Sequence, residues 1–245
     1  MGDVWRLVDS GLVPPAVSAA LDEAVLEAHS RGSVPDTLHF YVRSSPTVSV
    51  GYFQRAGESL DLDACRRLGV HVVRRGSGGS TIYTDQGQLI YGLVVRSDEL
   101  PPTPEASFAL VCGAVARAVS SFGVEARHRP VNDVEVGGRK VSGSAQLRRR
   151  GSVLQHGTIL MDTDLAAMDA VLRGPGRRPS DRVATLASLL GRAPDMGEMK
   201  RRVRDEVGRT FGAAIEEGRL TDAERADVER LVAERYSRDE WNLRL

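Results

Sequence analysis

Cysteine is nearly missing from this chain: among 245 residues there are two, Cys65 and Cys112. Two cysteines in apparently helical contexts exclude a disulfide framework and fit a reducing compartment. Net charge is missing as well. The 33 Lys and Arg balance 33 Asp and Glu, so no overall basic field argues for nucleic acid. No uninterrupted apolar run is long enough to cross a membrane, and Met1–Arg6 lacks signal-peptide character. A cytoplasmic protein that binds neither nucleic acid nor membrane is the expectation. What remains is 41% hydrophobic residues, enough for a core, and a length suited to one α/β domain or one domain with a helical tail. Arginines cluster locally, at Arg148-Arg149-Arg150 and Arg177-Arg178. Such clusters are solvated turns or contacts for an acidic partner.

Periodicity predicts many short strands with interspersed helices, an α+β arrangement of mixed β-sheets flanked by helices. Strands are expected at Trp5–Val8, Thr37–Arg43, Thr47–Gly51, Val70–Val73 and Gln88–Arg96. Helices are expected at Ala16–Ser30, Leu62–Leu68, about Glu105–Phe122 and Asp164–Leu172, with a turn or two in Arg182–Leu190. Gly174-Pro175-Gly176 breaks the pattern. From Met196 it is helical, over Met196–Glu217 and Thr221–Tyr236, with a capping box at Thr221–Glu224. The chain is therefore divided into a core, 1–195, and a helical C-terminal extension of the same domain, 196–245.

Two blocks carry chemistry. The first is Arg74-Arg75-Gly76-Ser77-Gly78-Gly79-Ser80, between two apolar runs. Guanidiniums supply charge and forked donors, and glycines let backbone approach a ligand, so the block is a candidate anion receptor. A plain Gly-rich turn with surface arginines is the alternative. The second block runs from Asn132-Asp133 to His156-Gly157-Thr158 and is predicted as three β segments. Gly137-Gly138 is a hairpin signal between Asp133–Val136 and Arg139–Ala145. The basic turn Arg148–Gly151 leads to a third strand, Ser152–Met161. Lys140 then projects from a strand start, where a rigid backbone can place its ammonium.

Taken together, the Arg75–Ser80 loop, Asn132-Asp133, Gly138-Arg139-Lys140 with Gly143-Ser144-Ala145, and His156-Gly157-Thr158 resemble the lipoate–protein ligase A family. That family belongs with the octanoyltransferases and biotin protein ligases. Further matches are Ala20-Leu21-Asp22-Glu23, Val50–Gln54, Ser180–Leu186 and Tyr236–Asn242, placed outside the site. The resemblance covers nearly the whole chain. It implies the biotin/lipoate ligase-like catalytic fold and two half-reactions. Lipoate and ATP give lipoyl-AMP, and a target lysine then takes the acyl group.

By that resemblance Lys140 is the catalytic residue, reaching the acyl carbonyl and the α-phosphate. Arg75, Gly78, Gly79 and Ser80 line the acyl-adenylate pocket, with Gly143 and Ser144. Arg74 is more a structural partner than a direct contact. Asn132 and Asp133 bind the nucleotide, and Asp133 holds Mg²⁺ near the phosphates. His156, Gly157 and Thr158 shape the acyl tunnel or the adenine side, and Gly51, Tyr52 and Gln54 border the acyl pocket. The implied partner is a lipoyl domain: a 2-oxoacid dehydrogenase subunit, the glycine-cleavage H protein or another lipoate-binding protein. A fused accessory domain is expected to be absent or supplied as a separate subunit.

Two features depart from the family pattern. Thr84 stands before Asp85 where a histidine is usual, and Gln86-Gly87-Gln88-Leu89 is as similar to the octanoyltransferases as to the ligases. Octanoyltransferases relay the acyl group through a cysteine thioester. The two places where they carry it correspond to Asp162–Ser180 and His128–Asn132, and neither has a cysteine here. An ATP-dependent ligase is the expectation. The alternatives are a transferase using an acyl-carrier or acyl-protein donor, or a non-catalytic lipoyl-binding protein.

Overall fold

The computed structural model describes residues 4–174, 176 and 178–244. Met1–Asp3, Pro175, Arg177 and Leu245 lie outside the described residues, and with them part of the predicted Gly174–Gly176 break and of the Arg177-Arg178 cluster. The strands are β1 (Val4–Val13), β2 (Thr37–Arg43), β3 (Thr47–Val50), β4 (His71–Arg74), β5 (Ile82–Thr84), β6 (Gln88–Arg96), β7 (Ala126–Arg129), β8 (Asp133–Val136), β9 (Arg139–Arg149), β10 (Ser152–Leu160) and β11 (Ala214–Glu217). The helices are α1 (Pro15–Ser30), α2 (Ala56–Ser59), α3 (Leu62–Arg67), α4 (Pro104–Ser120), α5 (Leu165–Val171), α6 (Leu186–Leu190), α7 (Met196–Phe211), α8 (Asp222–Leu231) and α9 (Asp239–Asn242).

One sheet has the order β11-β1-β2-β6-β10-β9-β8-β7 and a second the order β4-β3-β5. Both are mixed. β1 runs parallel to β2 and β11, and β6 through β7 are antiparallel. The α+β expectation holds. The three segments predicted between Asn132 and Met161 are the neighbours β8, β9 and β10. Gly137 and Gly138, at φ +56° and +77°, close the β8–β9 hairpin in the two-residue turn that matches strand twist. Arg150 and Gly151 do the same for β9–β10.

Helix ends follow local chemistry. Thr103 Oγ1 accepts from the Ala106 N–H at the start of α4, where Pro104 takes the first position. Thr221 and Glu224 form the predicted capping box of α8. The predicted helix Met196–Glu217 is corrected. Gly212, at φ +65°, ends α7, and Ala214–Glu217 instead joins the large sheet beside β1. A left-handed glycine stops a helix whatever periodicity follows it. The 196–245 segment is therefore not wholly helical, and α7 sends Met199, Val203 and Val207 into the main core against Val111, Val115 and Val119 of α4. β7 was also not foreseen. Each fully buried aliphatic side chain in that core contributes about 1.5–3 kcal/mol.

Candidate active site

A cavity of about 500 Å³ opens between the two sheets. α1 contributes Ala19 and Asp22, β2 contributes Tyr41 and Arg43, and β5 contributes Ile82. β6 adds Ile90, β9 adds Lys140 and Gly143–Ala145, and β10 adds His156–Thr158 and Leu160. Met168, Leu172 and Val183 add apolar wall. Eleven of the twelve site residues predicted from sequence line it: Arg75, Gly79, Ser80, Asn132, Asp133, Lys140, Gly143, Ser144, His156, Gly157 and Thr158, with Gly78 alone off the wall. Gly78 packs instead beneath the exposed ring of Phe53.

Lys140 follows directly on the Gly137-Gly138 turn. Its Nζ lies 2.6 Å from Asp133 Oδ1, and the other carboxylate oxygen accepts from Arg129 Nη2 at 2.6 Å. The lysine side chain crosses Gly143, where any Cβ would collide with its tip. The Asn132 side-chain amide donates to the Ser144 carbonyl, and its own carbonyl accepts from the Ser144 N–H at 3.0 Å. That pairing fixes the approach to β8 against β9.

The two arginines of the loop are both buried, which sets aside the alternative of a turn with surface arginines. Arg74 is fully buried. Its Nη1 donates to the carbonyls of Gly51, Tyr52 and Gln54, and its Nε to that of Trp241. Its backbone N–H donates to Asn242 Oδ1, and Trp241 Nε1–H donates to its carbonyl. Arg74 therefore staples α9 to the loop through carbonyls, with no carboxylate among its bonds to the described residues. Arg75 borders the cavity, yet its Nη1 donates to Ser49 O and its Nη2 to Gly78 O and Ser80 O. A buried cation needs acceptors, and the loop's own carbonyls provide them. Burial, with Arg43 nearby, lowers the Arg75 guanidinium to about 10, so it stays charged at neutral pH. Gly51 is required by contact rather than by φ, because a side chain there would strike the Gly79 carbonyl.

Sequence reasoning placed Asp22 outside the site and missed Tyr41, Arg43 and His39. Asp22 Oδ2 lies 2.5 Å from His156 Nδ1 and accepts from the Tyr41 hydroxyl at 3.2 Å. His156 Nε2 lies 2.6 Å from Ser77 Oγ. Burial pushes the Asp22 carboxyl up, but His156, His39 and Tyr41 outweigh it and hold the group below its ordinary value. Burial lowers His39. The available signal was Ser18, Asp22, Val25 and His29 at helical spacing, a stripe that carries polar residues on a buried face. Thr84, at the position of the usual histidine, is buried. Its hydroxyl accepts from Arg43 Nη1 at 2.8 Å and donates to the Thr47 carbonyl. Glu23, beside Asp22, accepts from Arg235 and the Tyr236 hydroxyl and so anchors the C-terminal block.

Both cysteines are buried. Cys65 packs in the small-sheet core. Cys112 lies behind the cavity wall, 3.4 Å from Ser144 Oγ, and burial pushes its thiol up to about 11. In the basic turn, Arg148 donates to Ser107 and Arg149 to Glu27. Among the described residues no cluster of three acidic, histidine or cysteine side chains is arranged to hold a metal. No helix among them is long and apolar enough to cross a membrane.

An apolar wall between the two sheets, with Lys140 held beside it by a glycine hairpin, gives the cavity both apolar and charged surface. The Lipoyl protein ligase A/B catalytic domain matches residues 14–208, and the chain belongs to that family. It is 35% identical to the octanoyltransferase LipM of Symbiobacterium thermophilum over 98% of both chains. Its structure is similar to the bi-partite lipoate protein ligase of Thermoplasma acidophilum, described with its E2 lipoyl domain. That match has a TM-score of 0.86 and 29% identity over 99% of this chain and 96% of the other. A lipoate-protein ligase A bound with ATP matches equally, with a TM-score of 0.86 and 29% identity over 99% of each chain.

Proposed function

We propose that this chain is an ATP-dependent lipoate–protein ligase acting on a lysine of a lipoyl domain. The observation that carries this reading is the charge of the cavity. Six cationic side chains line it, Arg43, Arg75, Arg129, Lys140, Arg173 and Arg182, against two carboxylates, Asp22 and Asp133. Arg43 and Arg75 are buried and donate to protein oxygens, whereas Arg129, Lys140, Arg173 and Arg182 are partly buried or exposed. Such accessible cations above an apolar wall suit a phosphate-bearing acyl intermediate. The wall takes the acyl chain and the rim takes the phosphates.

In the first step a carboxylate oxygen of lipoate attacks the α-phosphorus of ATP, and the bond to pyrophosphate breaks. In the second the lysine amine attacks the acyl carbonyl, the bond to AMP breaks, and the amine loses its proton. Both steps concentrate negative charge on oxygen, and a positioned ammonium at Lys140 stabilises it as it develops. Mg²⁺ would arrive with the nucleotide phosphates and shield their charge. Asp133 is the carboxylate at the rim that would meet it, exchanging one of its present cation partners.

A second reading, octanoyl transfer without ATP, is favoured by the name of the LipM relative. Relay through an enzyme thioester needs an accessible thiolate. Burial of Cys65 and Cys112, with both thiols shifted upward, weighs against that route.

The test is mass spectrometry of a lipoyl domain incubated with the protein and one of three donors: lipoate with ATP and Mg²⁺, premade lipoyl-AMP, or octanoyl-carrier protein. Modification from ATP supports the ligase. Modification from lipoyl-AMP alone points to a separate accessory subunit, as in a bi-partite ligase. Modification from octanoyl-carrier protein without ATP replaces the ligase with the transferase. Lipoate binding without transfer from any donor leaves a binding protein.

A further inference from the structure

Asp22, His156 and Ser77 form a continuous chain that the roles given so far do not use. It joins three elements distant in sequence: α1, β10 and the arginine loop. Asp22 Oδ2 lies 2.5 Å from His156 Nδ1, and His156 Nε2 lies 2.6 Å from Ser77 Oγ. Ser77 Oγ in turn accepts from Arg75 Nε at 3.1 Å. All four residues are buried.

With a neutral His156 ring beside an ionised Asp22, the donors and acceptors close in one way. Arg75 has only hydrogens to give, so Ser77 Oγ accepts from it, and the Ser77 hydroxyl hydrogen is left to donate. His156 Nε2 receives it only as an unprotonated nitrogen. The ring then carries its hydrogen on Nδ1, and Asp22 is there to accept that hydrogen. The carboxylate therefore selects the tautomer, and the tautomer sets the hydroxyl. Tyr41 donates to the same carboxylate oxygen, and His39 Nε2 faces the other oxygen at 3.4 Å. His39 is held against Gly92, where any side chain would overlap its ring.

We propose that Asp22 and His156 are positioning residues for the acyl-binding loop, fixing Ser77 and through it the orientation of Arg75. This rests on the reading of the cavity as a lipoate site. Ser77 itself is not on the cavity wall, so the chain orients the loop and does not attack substrate. The loop depends on this because Arg75 holds the carbonyls of Gly78 and Ser80. A rotated guanidinium releases the backbone that lines the cavity.

The test has two arms. Nitrogen-15 NMR of histidine-labelled protein, with the His156 signals assigned by their loss in His156→Asn, reads the tautomer without any need for activity. The wild type is expected to show Nδ1–H with an unprotonated Nε2, and Asp22→Asn to show the reverse, because an amide can offer hydrogens to Nδ1. The second arm is lipoate affinity by calorimetry. Asp22→Asn and Ser77→Ala are each expected to weaken it about 10-fold or more, and the double variant to be no weaker than the worse single. Additive losses, or an Nε2–H tautomer in the wild type, overturn the proposal. So does an octanoyl or lipoyl ester recovered on Ser77, which would make it a nucleophile. If the wild type does not bind lipoate, the functional reading fails, while the tautomer arm still decides the network.

Discussion

The ammonium of Lys140 lies across Gly143, three residues further along the same strand, in space that no other residue type leaves open. The glycine and the lysine are thus one device. Gly143→Ala is expected to leave the fold intact and to displace the ammonium. Misplacement by about 1 Å costs on the order of 100-fold in rate. Lys140→Ala should lose about 100- to 1,000-fold, as for removal of a charge-stabilising donor. Single-turnover transfer rates, read beside thermal denaturation, check both. A Gly143→Ala enzyme with full activity would separate the two residues.

Cysteine is expected to be dispensable. The variant carrying Cys65→Ala and Cys112→Ala should transfer lipoyl groups within about threefold of wild type once its stability loss is allowed for, since buried thiols act as small hydrophobes. Loss of transfer from an acyl-carrier donor, with the fold intact by circular dichroism, would instead identify a thioester route.

Arg74 is expected to matter to the fold rather than to turnover. Arg74→Ala strands the carbonyls of Gly51, Tyr52, Gln54 and Trp241. Each buried unsatisfied acceptor costs about 1–3 kcal/mol. A total of at least about 3 kcal/mol, with a fall in Tm on the order of 10 °C, is the expected outcome in a calorimeter. Arg74→Lys should recover little, because an ammonium cannot serve the same spread of carbonyls.

The buried pair Arg6–Glu224 links β1 to α8, with Nη2 and Oε1 2.7 Å apart. Burial raises the Glu224 carboxyl, but Arg6 and Thr221 outweigh it and hold the group below its ordinary value. A depressed carboxyl contributes stability above its unfolded pKa, and that contribution is lost as pH falls through the folded value. Glu224→Gln breaks the pair and should cost about 3 kcal/mol at neutral pH. The gap in Tm between wild type and variant should be constant above about pH 5 and narrow toward pH 3. A gap independent of pH would show that the pair carries no linked proton.

Much of this protein is local, and the sequence alone determined that part. The two-residue glycine turn, the strands around it, the capping box and the position of Lys140 depend on residues within a few positions of one another. Composition and pattern express such constraints directly. The family blocks likewise marked most of the residues that line the cavity. The assembled structure decided the rest, for reasons of hydrogen-bond closure across long separations. Two adjacent arginines look alike in sequence, yet Arg74 finds its acceptors in the Gly51–Gln54 segment and near the end of the chain, while Arg75 finds them in β3 and its own loop. Asp22 enters the site only because α1 packs beside β10, 134 residues away. Ala214–Glu217 becomes a strand because β1 offers an unpaired edge after Gly212 ends the helix. Local propensity does not encode which buried donor meets which buried acceptor, and in this protein those pairings shape the site.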